Sequence, residues 1–428
     1  MKVILAINAG SSSVKVSVYT SAEYNATPKQ IAEAQVSGLT APPTKLTYTR
    51  RGQSVHKNKE VGDGDTRTQD GAFRLLLETL VNDAELTEIS STDDIGIVAH
   101  RIVHGGDYDD SQLITADTHH HLEALSDLAP LHNSAALGIV DACIGRLPRA
   151  HNVACFDSQF HHTIPPHIST YPIDQNIARS NGLRKYGFHG ISYEFIARSV
   201  ARFLRKDRSQ LDIIALHLGS GASACAIRNG KSLDTSMGLT PLAGLPGATR
   251  SGSVDPSLVF HYASDVGKLS PASTEHLHIS KAEDILNRQA GWSALTGTTD
   301  FGTISARDTP ERRLAFDLFA DRVAAYVGSY FVALSGRVDA LVFAGGIGEK
   351  ATALRADVVG RLACLGFAVD EEANNSRMEE NKDDDVVDVS AQSADGGGGS
   401  DRKVLVCRTD EQFEMARVCT AKQELWAS

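Results

Sequence analysis

The sequence lacks the features that mark membrane and secreted proteins. No apolar run approaches the ~20 residues that a membrane-spanning helix needs, and the apolar run near the N-terminus is shorter than a signal peptide requires. The six cysteines form no CxxC pair, which favours free thiols in a reducing compartment over disulfides or a zinc site. We therefore expect a cytoplasmic protein without a membrane partner.

The sequence also lacks the basic excess that nucleic-acid binding requires. Asp and Glu number 53 against 42 Lys and Arg, which gives a net charge of −11. A phosphate backbone needs a basic surface, so we expect no nucleic-acid partner. A small anionic ligand is compatible with this charge, because one cleft can be locally positive on an acidic protein.

Short apolar strands alternate with helical segments along the chain. Strands are predicted at Val3–Ile7, Ile95–Ala99, Val153–Phe156, Ile213–Leu218, Ala340–Phe343 and Val404–Val406. Helices are predicted at 71–81, 193–205 and 311–334, where apolar residues recur at helical spacing. The stretch 54–70 predicts an exposed loop, and the glycine run Gly396–Gly399 predicts a mobile connection. The alternation over 428 residues predicts an α/β protein of two domains.

A strand–glycine–strand pattern occurs twice. ILAINAGSSSVKVSVY, from Ile4, matches IIALHLGSGASACAI, from Ile213, without gaps at an offset of 209 residues. A third glycine cluster, LVFAGGIGE, begins at Leu341. Small residues let an anion approach backbone N–H groups, and Lys15 adds a positive charge. The alternative is a simple β-hairpin with glycine at its turn. That alternative does not explain why the pattern is repeated. The pattern favours a nucleotide site, although GxxxxGK[ST] is absent and the first turn carries no GxGxxG.

The repeated loops resemble those of the actin-like, sugar-kinase and heat-shock-70 fold. A closer resemblance comes from nine motifs that follow one another from the N-terminal strand to residue 412. They are INAGSSSVK, HRIVHGG, LAPLHN, FDSQFH, YGFHG, HLGSGAS, TRSGSVDP, FAGGIGE and TDEQ. In this order they are typical of acetate kinases, and the sequence is identified as similar to that family.

The resemblance implies an α/β fold of two RNase H-like, actin-like domains with a nucleotide cleft between them. The first would comprise 1–158 with 409–428, on the acetate and magnesium side, and the second 159–408, on the nucleotide side. The implied reaction transfers phosphate reversibly between ATP and acetate to give acetyl phosphate and ADP, with Mg²⁺ or Mn²⁺. Family members are homodimers, so a homodimer is expected, and the helix from Glu311 could contribute to its interface.

The chemistry of such a transfer calls for cations rather than for a base. Acetate is already ionised at neutral pH because a carboxyl pKa lies near ~4, but its approach to a polyphosphate requires charge neutralisation. The resemblance places Arg101 and Arg250 beside the acetate and the phosphoryl group, and makes His189 and His217 hydrogen-bond donors to phosphoryl oxygens. Asp157, at the end of a strand, needs an arginine or a metal nearby, and we favour an arginine-orienting role.

The resemblance also implies the binding residues. Acetate would lie against Arg101 and an apolar pocket of Val103, Leu131, Phe188 and Pro241, and magnesium would be bound at Asn8 and Glu411. The implied nucleotide residues are Lys15, His217, Leu218, Gly219, Ser220, Gly221, Asp300, Phe301, Gly302, Gly346, Ile347, Gly348, Glu349 and Lys350.

Departures from the family motifs cluster at the nucleotide positions. Asparagine is common in place of Ser220 and of Lys350, and arginine is common in place of Gly302. Pyrophosphate as the donor, or propionate or butyrate as the acceptor, is therefore an alternative, since one methylene is worth only ~1–3 kcal/mol of discrimination. A non-catalytic actin-like nucleotide-binding protein is a third reading, but it predicts loss of acceptor residues that are present here.

Overall fold

A computed structural model of the chain describes residues 1–10, 12–62, 65–125, 130–262, 268–270, 273, 280–391 and 402–426. The strands are β1 Lys2–Ala9, β2 Ser13–Ser21, β3 Lys29–Ser37, β4 Lys45–Arg50, β5 Gln53–Glu60, β6 Ile95–Ile102, β7 Gln112–Leu113, β8 His151–Phe156, β9 Ile213–Leu218, β10 Ala222–Arg228, β11 Lys231–Thr235, β12 Ala340–Ala344, β13 Val386–Asp388 and β14 Lys403–Cys407. The helices are α1 Gln69–Val81, α2 Ala116–Leu125, α3 Pro130–Arg146, α4 Pro166–Ser169, α5 Gln175–Ser180, α6 Gly190–Leu204, α7 Leu258–Tyr262, α8 Lys281–Arg288, α9 Gly291–Thr296, α10 Phe301–Ser305, α11 Pro310–Ala333, α12 Gly345–Lys350, α13 Thr352–Arg361, α14 Glu371–Glu380 and α15 Glu411–Thr420.

The chain divides into two compact units, each built on its own sheet. The first consists of Met1–Gln159 and Asp410–Ser428, and the second of Phe160–Thr409. Among the described residues, no helix has the length and apolar character that crossing a membrane would take.

The first unit has the strand order β5-β4-β3-β2-β1-β6-β8-β7. Strands β1 to β5 form an antiparallel meander, and β6 and β8 extend it in parallel with β1. β1 and β6 are central and almost continuously apolar, as parallel strands covered on both faces should be. Helix α1 packs against β2 and β3, and α15 packs against β1, β2 and β6. The last helix of the chain therefore belongs to the unit that begins it.

The second unit repeats this topology in the order β11-β10-β9-β12-β14-β13. β9 to β11 are antiparallel, and β12 and β14 are parallel to β9. β9 and β10 occupy the positions in the second sheet that β1 and β2 occupy in the first. The two copies of the strand–glycine–strand pattern, 209 residues apart in the sequence, therefore form equivalent strand pairs. The long helix α11 begins at Pro310, after the N-cap Thr309, whose side chain accepts from the Arg312 N–H.

The predicted strands and helices are confirmed, and so is the α/β class. The loop predicted over 54–70 is wrong in its first part, because Gln53–Glu60 forms β5 at the sheet edge. Nearly every residue of β5 is exposed, so the strand is specified by backbone pairing with β4 and lacks the apolar alternation that sequence patterns detect. The glycine run Gly396–Gly399 lies outside the described residues.

A fully buried arginine links three helices of the second unit. Arg355 of α13 donates to Oδ1 and to the backbone oxygen of Asn374 on α14, both at 2.7 Å. It also donates to the carbonyls of Gly348 and Glu349 in α12, at 2.9 and 2.7 Å. All four of these hydrogen bonds go to neutral oxygens, so loss of the guanidinium leaves several buried acceptors without donors.

We predict that Arg355→Met lowers the free energy of unfolding by about 3 kcal/mol, because buried carbonyls lose their donors. Urea denaturation measures this loss. Arg361→Met is the matched control on the same helix, where the arginine pairs with Asp357 near the surface and should contribute less than about 1 kcal/mol. Equal stability of the two variants would contradict the prediction.

Candidate active site

Polar residues collect where the parallel strands of the first sheet end. Asn8 lies at the end of β1, Arg101 near the end of β6, and Asp157 directly after β8. Glu411 is the first residue of α15, which packs against β1 and β6. Because parallel strands end at one edge of a sheet, residues far apart in sequence come together here.

Arg101 is held by two carboxylates, and we call Arg101, Asp157 and Glu411 the arginine cluster. Nη2 donates to Oδ2 of Asp157 at 2.8 Å, and Nε lies 3.2 and 3.3 Å from the two oxygens of the same carboxylate. Nη1 donates to Oε2 of Glu411 at 2.9 Å. The three side chains are 18%, 2% and 13% exposed. A planar guanidinium gripped along two edges has a fixed orientation.

The arginine cluster keeps Arg101 charged. Burial alone would lower the pKa of Arg101, but the charges of Asp157 and Glu411 outweigh that effect and raise the pKa above its ordinary value. Removing one carboxylate would leave a largely buried positive charge with less compensation. This geometry is what the arginine-orienting role of Asp157 requires.

Oxygen atoms suited to Mg²⁺ are present at Glu411 and Asn8. Glu411 uses Oε2 for Arg101, and within the described residues its second oxygen, Oε1, accepts no hydrogen bond. The described ranges contain no group of three His, Cys, Asp or Glu side chains that could enclose a metal. Mg²⁺ binds few protein oxygens and keeps its waters, so a carboxylate and an amide oxygen fit its chemistry.

The first glycine loop joins β1 to β2. The Gly10 N–H donates to the Ser13 carbonyl at 2.9 Å, and Ser11 lies outside the described residues. Lys15 lies opposite Asn8 on β2 and forms an ion pair with Glu33 of β3 at 2.9 Å. The lysine charge is thus shared with a carboxylate of the sheet.

In the second unit, Arg250 lies against the glycine loop Gly219–Gly221. A Cβ on Gly221 would lie 2.5 Å from Nη2 of Arg250, so a side chain at this position would displace the guanidinium from its place on the loop. The Ala248 N–H donates to the Ser220 carbonyl at 2.8 Å, and Nη1 of Arg250 donates to the Pro241 carbonyl at 3.0 Å. The hydrogen bond between Ala248 and Ser220 therefore holds the segment around Arg250 against the glycine loop.

His189 and His217 form a stacked pair in the second unit. Their ring centroids are 4.2 Å apart and the ring planes differ by 30°. His189 precedes α6 in a left-handed conformation with φ of 60°, and its Nδ1 lies 2.8 Å from Oγ of Ser223. His217 is in β9, and its Nδ1 lies 2.7 Å from Oγ of Ser192. Both imidazoles are thus anchored through Nδ1.

A cavity of about 420 Å³ in the second unit contains half of the predicted nucleotide residues. Predicted residues in its wall are Ser220, Asp300, Phe301, Gly302, Gly346, Ile347 and Lys350. The others, His217, Leu218, Gly219, Gly221, Gly348 and Glu349, do not line it, and Lys15 belongs to the first unit.

Two backbone features shape this cavity. Gly345, with φ of +74°, begins α12 against β9, where a Cβ would lie 2.8 Å from the Leu218 carbonyl. Asp300 caps α10, since its carboxylate accepts from the N–H groups of Gly302 and Thr303.

The predicted acetate-pocket residues are divided between the two units. Val103 is half-buried just after β6 in the first unit, and the side chain of Leu131, in α3, lies outside the described part of the structure. Phe188 and Pro241 are buried in the second unit. The Phe188 carbonyl accepts from Nε2 of His161 at 3.0 Å, so this buried histidine supports the segment before His189.

Sequence reasoning missed Ser192, Tyr193 and Ser223, which surround the histidine pair. Ser223 ends the motif HLGSGAS, and Ser192 and Tyr193 lie two and three residues after the end of YGFHG. All three are fully buried, and the hydroxyl of Tyr193 lies 2.6 Å from Oγ of Ser223. A buried hydroxyl beside a site motif was the available signal, but the pairing across α6, β9 and β10 cannot be obtained from spacing.

Comparisons with known proteins point in one direction. A model of the acetokinase family matches residues 3–417. A probable acetate kinase of Neurospora crassa is 60% identical over 446 aligned residues, which cover 99% of this chain and 95% of that protein.

Solved structures agree in fold. A propionate kinase from Francisella tularensis superposes with a TM-score of 0.81 at 32% identity, covering 98% of this chain and 99% of that one. The acetate kinase of Porphyromonas gingivalis gives 0.77 at 30% identity, with coverages of 97% and 98%. These matches confirm the predicted actin-like fold class and the family resemblance.

Two buried histidines should make the stability of the protein depend on pH. Burial lowers the pKa of His100, bonded to Asn152, and of His161 to about 4 each, from 6.5. The unfolded chain takes up these protons near pH 6.5 and the folded chain only near 4. Stability is therefore complete above 6.5 and is lost as the pH falls from 6.5 towards 4, by about 3 kcal/mol per histidine.

Urea unfolding of the wild type and of His100→Asn at pH 7, 6 and 5 tests this. We expect a smaller loss of stability on acidification in His100→Asn, because one of the two groups is gone. Parallel pH dependences in the two proteins would refute the assignment.

Proposed function

The chain belongs to the acetokinase family, and from this premise we propose that it transfers the γ-phosphoryl group of ATP to acetate, reversibly, to give acetyl phosphate and ADP. It is a phosphotransferase with a carboxylate acceptor. The family match over residues 3–417 carries this conclusion. Propionate, the substrate named for the Francisella protein at 32% identity, is less favoured, because a relative at 60% identity is named a probable acetate kinase.

Arg101 is proposed to bind the acetate carboxylate. An acetate oxygen forms the new bond to the γ-phosphorus while the bond from that phosphorus to the bridging oxygen of ADP breaks. No proton moves in this exchange, because acetate is already ionised. The difficulty is repulsion between anions, and a buried guanidinium of fixed orientation offsets it without reorganising. Asp157 would act through Arg101 by holding it.

Arg250 and the histidine pair are proposed to stabilise the phosphoryl group in the transition state of the transfer. The transition state spreads negative charge over three equatorial oxygens. Arg250 offers fork-shaped donors beside the glycine loop, and His189 and His217 offer ring N–H groups. Preorganised donors of this kind are worth more in a site that excludes water than in solution.

Asn8 and Glu411 are proposed as the residues that would hold Mg²⁺. When bound, the ion supplies positive charge to the phosphate oxygens. Glu411 would then have two duties, because one carboxylate oxygen also orients Arg101.

The 420 Å³ cavity supports ATP as the donor over pyrophosphate. Phe301, Gly346 and Ile347 provide a partly apolar wall that pyrophosphate, which lacks a base, would leave unfilled. Relative to the residues common in the family, Gly302 lacks the arginine side chain, and Lys350 has a longer, charged side chain in place of an asparagine amide. We propose that these changes tune base selection while the donor stays a nucleotide.

A cytoplasmic homodimer is proposed as the physiological form. Helix α11 exposes Leu314 and Val332, at 56% and 76% of their surface, and a second copy could cover such apolar area. Analytical ultracentrifugation would show the mass of a single chain if this is wrong.

The direct test incubates the purified protein with ATP, acetate and Mg²⁺ and traps acetyl phosphate with hydroxylamine. We expect acetyl hydroxamate, and none when the divalent ion is chelated. Parallel reactions use pyrophosphate in place of ATP and propionate in place of acetate. Product with pyrophosphate but none with ATP would overturn the proposed donor, and no product with any acceptor would overturn the proposed activity.

We predict that Arg250→Ala lowers kcat by about 10²–10³-fold, because one preorganised charged donor to the transition state is lost. The thermal midpoint should stay close to that of the wild type, since the side chain is half-buried in a loop. Arg312→Ala, which removes a surface arginine paired with Asp308, is the control and should keep normal turnover. Near-normal turnover in Arg250→Ala would remove Arg250 from the mechanism.

A further inference from the structure

Buried hydroxyl groups lie against the Nδ1 atoms of both stacked histidines. On His189 the contact is Oγ of Ser223 at 2.8 Å, and on His217 it is Oγ of Ser192 at 2.7 Å. Ser223 has a second contact, with the hydroxyl of Tyr193 at 2.6 Å. The two serines and Tyr193 are completely buried, so each hydroxyl hydrogen must find its acceptor inside the protein.

Counting the hydroxyl hydrogens shows which atom donates in each hydrogen bond between Tyr193, Ser223 and His189. Burial raises the pKa of Tyr193 well above 10, so its hydroxyl keeps its hydrogen. The backbone N–H of His217 also approaches the Tyr193 oxygen, but an N–H group can only donate. Within the described residues, Oγ of Ser223 is therefore the acceptor for Tyr193.

The hydrogen of Ser223 then has one destination among its contacts, Nδ1 of His189. The reverse direction would place a hydrogen on Nδ1 and leave one buried hydroxyl hydrogen, that of Ser223 or that of Tyr193, without an acceptor. The cost of such a group is about 1–3 kcal/mol. The same reasoning applies at His217. The hydroxyl of Ser192 contacts Nδ1 of His217, so it donates its hydrogen to that nitrogen.

We infer that Tyr193, Ser223 and Ser192 are positioning residues that fix both imidazoles as the tautomer with hydrogen on Nε2, so that each ring is an uncharged hydrogen-bond donor. The assignment follows from the hydrogen bonds of the neutral tyrosine and the two serines, without any ligand. Its use towards a phosphoryl oxygen rests on the proposed function.

The proximity of the two rings explains why neutral donors are suitable. Two imidazolium ions with centroids 4.2 Å apart would repel each other. A neutral ring with hydrogen on Nδ1 would instead present the Nε2 lone pair, which repels an anionic oxygen. Hydroxyl donors at both Nδ1 atoms avoid both states, and they do so before any ligand is bound.

The test records nitrogen-15 spectra of histidine-labelled, ligand-free protein at pH 8, where an ordinary imidazole is neutral. Wild-type His189 and His217 should show the hydrogen on Nε2 only. Tyr193→Phe and Ser223→Ala should give His189 a population with hydrogen on Nδ1 and leave His217 unchanged, whereas Ser192→Ala should do the reverse. Tyr330→Phe is the control, because this buried hydroxyl has no hydrogen-bond partner among the described residues.

Turnover provides the second readout. Ser223→Ala should lower kcat roughly tenfold and change KM for ATP less than about twofold, because the donor serves the reacting group. The control variant Tyr330→Phe should keep normal kcat. The thermal midpoint of Tyr193→Phe should lie within a few degrees of that of Tyr330→Phe.

A wild-type His189 with its hydrogen on Nδ1 would overturn the inference, as would tautomers that are unchanged in all three variants. A wild type that makes no acetyl phosphate would overturn the proposed function instead, since the spectra need no substrate.

Discussion

The buried charge of Arg101 is the constraint on which the first unit depends. A guanidinium that is mostly removed from water needs carboxylates at hydrogen-bond distance, and the chain supplies them from two distant places. Asp157 follows β8, and Glu411 begins α15, 310 residues after Arg101. The contact between Arg101 and Glu411 joins the end of the chain to the unit that begins it. The same contacts leave Arg101 charged and fixed, which is the form in which it can bind a carboxylate.

The second unit handles negative charge differently. One arginine, Arg250, lies on a glycine loop, with its guanidinium in the space that a Cβ on Gly221 would take. The other donors are two neutral imidazoles in contact with each other. Serine and tyrosine hydroxyls support these rings. A carboxylate at Nδ1 would favour imidazolium, whereas a hydroxyl sets the direction of the hydrogen bond without adding charge. Each unit thus supplies donors whose orientation is determined before the reactants arrive.

Much of this could be predicted from the sequence, and the exceptions have physical causes. The apolar strands β1, β6, β9 and β12 were predictable because burial on both faces leaves a continuous apolar signal, and nine ordered motifs identified the family. β5 was missed because an exposed edge strand has no such signal. Ser223 belongs to a site motif, but the sequence predicts no role for it, because its importance comes from Tyr193 and His189, which contact it only in the folded state. The ion pair between Lys15 and Glu33 could not be predicted from the sequence either, since it depends on the register between β2 and β3.

The most direct test of the central claim is a double-mutant cycle on kcat/KM for acetate, with Arg101→Gln, Asp157→Asn and the double variant. If Asp157 acts by holding Arg101, each single variant loses activity and the double variant is no slower than Arg101→Gln, because Asp157 has nothing left to orient. If Asp157 acts on the substrate itself, the two losses multiply. Multiplied losses would contradict the account, and a double variant equal to Arg101→Gln would support it.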